Sequence, residues 1–129
     1  MAKKIIKVVA AAIYKEGKVL AMQRSSSMTL PGLWEFPGGK IEAGESHEQA
    51  LVREIREELE VDIQVQDYIN TASYTYDFGT VEMSTYRADL LSEPIIMKEH
   101  ADMKWLDKDQ VMSVEWAPVD IPAAEILSK

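Results

Sequence analysis

GGKIEAGESHEQALVREIREE, residues 38–58, joins a glycine pair to a segment of helical periodicity, and its reading decides the rest of the chain. Ser46 followed three residues later by Gln49 is a capping-box signature, so the pattern predicts a helix that starts at Ser46 and runs to about Leu59. Leu51, Val52, Ile55 and Leu59 form its apolar stripe. At 3.6 residues per turn, Glu54, Glu57 and Glu58 fall within an arc of about 100° directly beside that stripe, at the edge of a core and facing a cleft. Like charges at i, i+3 and i+4 destabilise an isolated helix by roughly 0.2–0.5 kcal/mol per pair, so the cluster asks for cations. Arg53 and Arg56 answer part of that demand. A hard divalent ion such as Mg²⁺ suits the remainder, because it takes carboxylate oxygens and fills its other positions with water and phosphate oxygens.

Working outward, Ile5–Tyr14 and Val19–Met22 read as two strands around the turn Lys15-Glu16-Gly17-Lys18. A polar loop from Ser25 to Gly32 leads to a short strand, Leu33-Trp34-Glu35-Phe36, and then to a turn at Pro37-Gly38-Gly39 whose glycines permit close backbone approach. Beyond the helix, Val61–Tyr68, Thr71–Asp77 and Thr80–Leu90 alternate as three strands, with Phe78-Gly79 as the last turn and with Tyr74 and Tyr76 on one face. Lys104-Trp105-Leu106 is a further short strand. Asp107 with Gln110 caps a brief helix, and Ile121–Leu127 closes the chain with Pro122 in its first turn.

Composition narrows the function. A chain of 129 residues without linker or repeat is one mixed α/β domain. It has no cysteine, which removes disulfides, thiolate zinc sites and cysteine nucleophiles. Its two histidines, His47 and His100, are not spaced as a two-histidine metal site, and His47 reads as a surface residue. A net charge of −8 argues against nucleic acid as a partner. A polyphosphate substrate is compatible with that charge where a bound metal reverses the local sign. No apolar run approaches the roughly 18 residues a membrane span needs, and the basic-then-apolar start, Met1 to Val8, reads as the first strand; a cytoplasmic protein is expected.

Gly39, Glu45, Arg53-Glu54-Ile55, Glu57-Glu58 and Val61, at these spacings, resemble the Nudix box of the Nudix hydrolases. Leu33-Trp34-Glu35-Phe36-Pro37-Gly38-Gly39-Lys40-Ile41-Glu42 extends the similarity towards the MutT-like branch of nucleoside triphosphate pyrophosphohydrolases, over nearly the whole chain. The resemblance implies a single Nudix domain over 1–129, with a mixed β-sheet sandwiched between α-helices. It further implies a requirement for Mg²⁺ or Mn²⁺ and a small-molecule nucleotide substrate cleaved to monophosphate and pyrophosphate; the sequence leaves monomer or homodimer open. It makes Glu54, Glu57, Glu58, Glu99 and the carbonyl of Gly38 metal ligands. Arg53 orients the carboxylates by pairing with Glu45, and the general base is one of Glu54, Glu57 and Glu99.

For the nucleotide, the resemblance matches Arg24 to a phosphate contact, Phe36 and Tyr76 to the lining of the base pocket, and Asp120 to a base-reading position. Plainer readings stand beside these: a surface arginine, core aromatics, and an aspartate N-cap for the last helix. An ionised Asp120 accepts hydrogen bonds and prefers a base that offers N–H, such as the cytosine amino group. Oxidised guanine offers such a donor as well. The segment from Trp116 to Leu127 and Lys98-Glu99-His100 resemble bacterial CTP pyrophosphohydrolases, so CTP-type and 8-oxo-dGTP substrates both remain open. A binding module that had lost catalysis is expected to lose box carboxylates, and this chain keeps them. The departure is Glu60, where the family has glycine; keeping a left-handed backbone there costs about 1 kcal/mol.

Overall fold

The structure, a computed structural model, describes residues 4–129; Met1-Ala2-Lys3, at the head of the expected first strand, lie outside the described residues. Seven strands form one mixed sheet: β1 (Ile5–Lys15), β2 (Lys18–Gln23), β3 (Trp34–Glu35), β4 (Gly38–Lys40), β5 (Ile63–Tyr76), β6 (Gly79–Leu90) and β7 (Asp102–Leu106). The main path runs β3-β2-β1-β6-β5, with β4 paired to β1 and β7 paired to β2. β1 and β6 are parallel, from Ile5 opposite Thr80 to Tyr14 opposite Asp89, while the other pairings are antiparallel.

The side-chain alternation of β1 explains the layering. Val9, Ala11 and Ile13 point into one cluster with Leu51, Ile55 and Leu59 of α1 (His47–Leu59). Ala10 and Ala12 point into the other, with Trp34, Phe36, Trp116 and the Ala123, Ala124 and Leu127 of α2 (Ile121–Leu127). A strand covered on both faces reads as a continuous apolar run, as β1 does. The helices therefore sandwich the sheet as expected, and small alanines in β1 let both layers approach closely.

Several boundaries follow the sequence reading. Ser46 caps α1: its hydroxyl accepts from the Gln49 N–H at 3.1 Å, while the Gln49 side chain accepts from the Ser46 N–H at 2.9 Å. Asp107 and Gln110 form the corresponding box, but the helix it opens, Lys108–Ser113, is 3-10. Three expectations need correction. The strands expected at Val61–Tyr68 and Thr71–Asp77 are one long strand, β5, whose register against β6 shifts around Tyr68. Irregularity at a bulge interrupts alternation without ending the strand, and so it reads as a break. The Gly38-Gly39 pair is not a turn but part of β4, facing Ala10 and Val9 of β1. With no side chains there was no alternation to see. The β5–β6 turn falls at Asp77-Phe78, and Gly79 already belongs to β6.

Glu60 keeps the backbone that glycine serves in the family, with φ 57° and ψ 36°, and its N–H closes α1 onto the Arg56 carbonyl at 3.1 Å.

Candidate active site

The glycine pair is where sheet and helix meet most closely. A β-carbon on Gly38 would collide with the backbone of Val9, and one on Gly39 would collide with the Glu54 carboxylate. The need for glycine is therefore steric, and it brings the carboxylate-bearing face of α1 down onto β4.

Arg53 is the hub of the outer half of the site. Its Nε and Nη2 donate to the two oxygens of Glu45 at 2.6 and 2.9 Å, the bidentate geometry that a planar guanidinium favours. Nη1 donates to Glu54 at 2.9 Å and to Glu57 at 3.2 Å, and Nη2 also reaches the Lys40 carbonyl at 3.1 Å. Glu45 accepts in addition from the Glu42 N–H at 2.9 Å. The Arg53 bonds, first, and that backbone bond hold the Glu45 carboxyl down at about 2. The expected Arg53–Glu45 pair is thus present and carries Glu54 and Glu57 with it.

The inner half is a cleft of about 370 Å³. Among the expected site residues, Arg24, Phe36, Gly38, Glu58, Tyr76, Glu99 and Asp120 all line it. Glu45, Arg53, Glu54 and Glu57 stand behind or beside it, and Glu57 is 62% exposed on the outer surface of α1. Burial pushes Glu58 up to about 8, with Glu35, Glu54 and Glu99 adding to the rise and His100 opposing it.

Asp120 is buried, and its Oδ1 accepts from the Phe36 N–H at 3.0 Å. Its side chain makes no capping bond to α2, so the N-cap alternative is not what this carboxylate does. Burial raises its carboxyl well above the ordinary aspartate range, and the bond from the Phe36 N–H opposes the rise. Phe36 stacks on Trp116 at 4.4 Å, so it serves core and cleft together. Tyr76 lies between Tyr74 at 4.7 Å and Phe78 at 5.2 Å, and its hydroxyl accepts from the Val119 N–H at 3.2 Å. The shared face expected for Tyr74 and Tyr76 is there.

Two residues of the cleft, Glu35 and His100, were not among the expected site residues, although His100 was noted beside Glu99. Glu35 accepts from Arg24 Nη1 at 2.5 Å through one oxygen and from His100 Nε2 at 2.8 Å through the other. His100 is buried with its Nδ1 towards Glu58. The signal for Glu35 was present, a carboxylate placed between Trp34 and Phe36 in a buried strand, where an unpaired charge is rarely tolerated. His47 is exposed, with Nδ1 2.9 Å from the Tyr86 hydroxyl, in keeping with its surface reading.

The residues suit a divalent cation. Glu58 is a carboxylate withdrawn from water with other acidic groups around it, and the ligand atoms of Glu35, Glu58 and His100 lie within 4.8 Å of one another. Oxygen-rich, net negative sites of this kind bind hard or borderline divalent ions.

With this geometry in place, the comparisons are direct. The NUDIX domain model matches residues 4–126, and the chain belongs to the Nudix family. The MutT-like character expected from the box is borne out by its relatives. It is 36% identical over 122 residues to the CTP pyrophosphohydrolase of Escherichia coli strain K12, covering 95% of this chain and 90% of that protein. It is also 36% identical over 116 residues to a putative 8-oxo-dGTP diphosphatase 2 of Mycobacterium tuberculosis H37Rv, covering 88% and 81%. The solution structure of a MutT protein of the Nudix hydrolase family from methicillin-resistant Staphylococcus aureus 252 superposes with a TM-score of 0.80 at 44% identity, covering 98% and 97%.

Proposed function

We propose that this Nudix hydrolase cleaves nucleoside triphosphates to monophosphate and pyrophosphate with the help of Mg²⁺ or Mn²⁺, and that cytidine triphosphates are its preferred substrates. The observation that carries the reading is that Asp120 and Glu58, the groups we assign to the base and to the metal, line one cleft.

Glu54, Glu57, Glu58, Glu99 and the Gly38 carbonyl are the proposed ligands. A metal held there lowers the pKa of its water and neutralises charge on the transferring phosphorus. Arg53 keeps the carboxylates in register, Arg24 is placed for the phosphates, and the proton acceptor is drawn from Glu54, Glu57 and Glu99, which act as a coupled group. Phe36 and the Tyr76–Phe78 pair flank the base. Asp120 offers carboxylate oxygen to a base N–H such as the cytosine amino group. A second reading, 8-oxo-dGTP hydrolysis, is favoured by the relative from Mycobacterium tuberculosis.

The test is release of monophosphate and pyrophosphate with Mg²⁺ across CTP, dCTP, 5-methyl-dCTP, dGTP, 8-oxo-dGTP, ADP-ribose and a diadenosine polyphosphate. Fastest turnover of the cytidine nucleotides is expected. Preference for 8-oxo-dGTP selects the second reading, and no turnover of any triphosphate rejects both. Among the described residues, no helix is long and apolar enough to cross a membrane; a cytoplasmic nucleotide pool is the proposed setting.

A further inference from the structure

The ligands proposed for the cation are all oxygen donors, yet the deepest polar side chain beside Glu58 is an imidazole. The His100 side chain is 2% exposed, and its Nδ1 has no hydrogen-bond partner among the described residues. A buried ring nitrogen left without a partner is costly unless something else occupies its lone pair. Nδ1 faces Glu58 Oε1 at 3.6 Å, too far for a hydrogen bond. It is close to the separation of two atoms bound to one cation, since two bonds of about 2.1 Å at the tetrahedral angle span about 3.4 Å.

The other side of the ring supports the same reading. Nε2 is 2.8 Å from Glu35 Oε2, and an ionised carboxylate can only accept, so Nε2 carries a proton; in the neutral ring the lone pair then falls on Nδ1, where a cation can take it. Glu35 is itself fixed by Arg24 at 2.5 Å. A carboxylate that holds the far nitrogen of a histidine is the usual support of a metal-binding imidazole, because it sets both tautomer and ring orientation.

We propose that His100 Nδ1, together with Glu58, is a nitrogen ligand for a first-row divalent cation, with Glu35 holding the ring in place. The inference rests on Glu58 being a metal ligand and adds a donor of a different kind. Imidazole favours Mn²⁺, Co²⁺ or Zn²⁺ over Mg²⁺, so the chain discriminates between cations through this residue.

The experiment uses the full chain loaded with Mn²⁺ alone, in electron spin-echo measurements of nitrogen coupling to the metal. With two histidines in the sequence, labelling histidine alone with ¹⁵N addresses the question directly. Replacement of a ¹⁴N coupling by a ¹⁵N coupling in the labelled protein is expected, retained in His47→Gln and lost in His100→Gln. His100→Gln should also weaken Mn²⁺ binding by about tenfold or more, with a smaller effect on Mg²⁺. A spectrum unchanged by the label overturns the proposal, as does a coupling that survives His100→Gln. That result would make His100 a charged bridge between Glu35 and Glu58. Should His100→Gln fail to fold, the labelled parent chain decides alone. Pyrophosphate release with Mg²⁺ but no histidine coupling rejects this inference and leaves the function standing, whereas histidine coupling without release of pyrophosphate does the reverse.

Discussion

Lys98 pairs with Glu60 at 3.1 Å, at the point where α1 ends in a left-handed residue. The same Nζ donates to the Glu57 carbonyl at 3.0 Å, so Lys98 also satisfies one of the helix's terminal acceptors. The loop that carries Glu99 and His100 is thereby tied to the helix that carries Glu57 and Glu58.

Glu60→Gly tests the balance at this exit. Glycine relieves about 1 kcal/mol of left-handed strain, while an ion pair with both partners about half exposed contributes less, roughly 0–1 kcal/mol. The variant should be equal to the parent or more stable by up to about 1 kcal/mol in urea unfolding. A clear loss of stability would show that the Lys98 link outweighs the backbone strain.

Glu57→Gln separates chemistry from folding. The side chain is exposed and ion-paired rather than packed in the core, so thermal unfolding should move little while turnover falls by roughly a hundredfold. Near-normal turnover would remove Glu57 from the proposed metal site.

Asp120→Ala should alter the ranking of bases more than the maximal rate, because it removes a pairing group and leaves the metal cluster alone. Asp120→Asn keeps an acceptor oxygen and should retain more of the cytosine preference. Measuring kcat/KM for CTP, UTP and 8-oxo-dGTP checks both variants, and an equal loss on all three would refute base reading by this residue.

Acid stability should depend on the Arg53–Glu45 pair. Glu45 titrates at about 2 in the folded chain against its ordinary 4.5, so it binds its proton less readily when folded. Its contribution is present above pH 4.5 and is lost as pH falls from there towards 2. In Glu45→Gln the fall in stability across that window should be shallower, as read from urea midpoints at a series of pH values. An identical slope would mean that the pair is equally formed in the unfolded chain.

Much of this was legible because side-chain chemistry and local geometry coincide. The Ser46–Gln49 box and the stripe of α1 follow from spacing along one helix, and the Glu45 partner of Arg53 came with the family resemblance of the motif. What escaped depends on contacts between distant segments. Gly38 and Gly39 have no side chains to betray a strand, and β5 hides its continuity behind a register shift. Glu35 and His100 are 65 positions apart and meet because β3 and β7 both flank β2. Asp120 could be read as a cap because its position suits one, and its inward turn is decided by the Phe36 N–H, which belongs to another part of the chain.

The division of β1 between two apolar layers also bears on how such an enzyme diverges. Phe36, Trp116 and Val119, beside the proposed base pocket, belong to the α2 layer, whereas Leu51, Ile55 and Leu59, which anchor the carboxylate helix, belong to the α1 layer. Substitutions that repack the first need not disturb the second. Preference for one nucleobase can therefore drift from one descendant to the next while the hydrolytic apparatus is inherited unchanged.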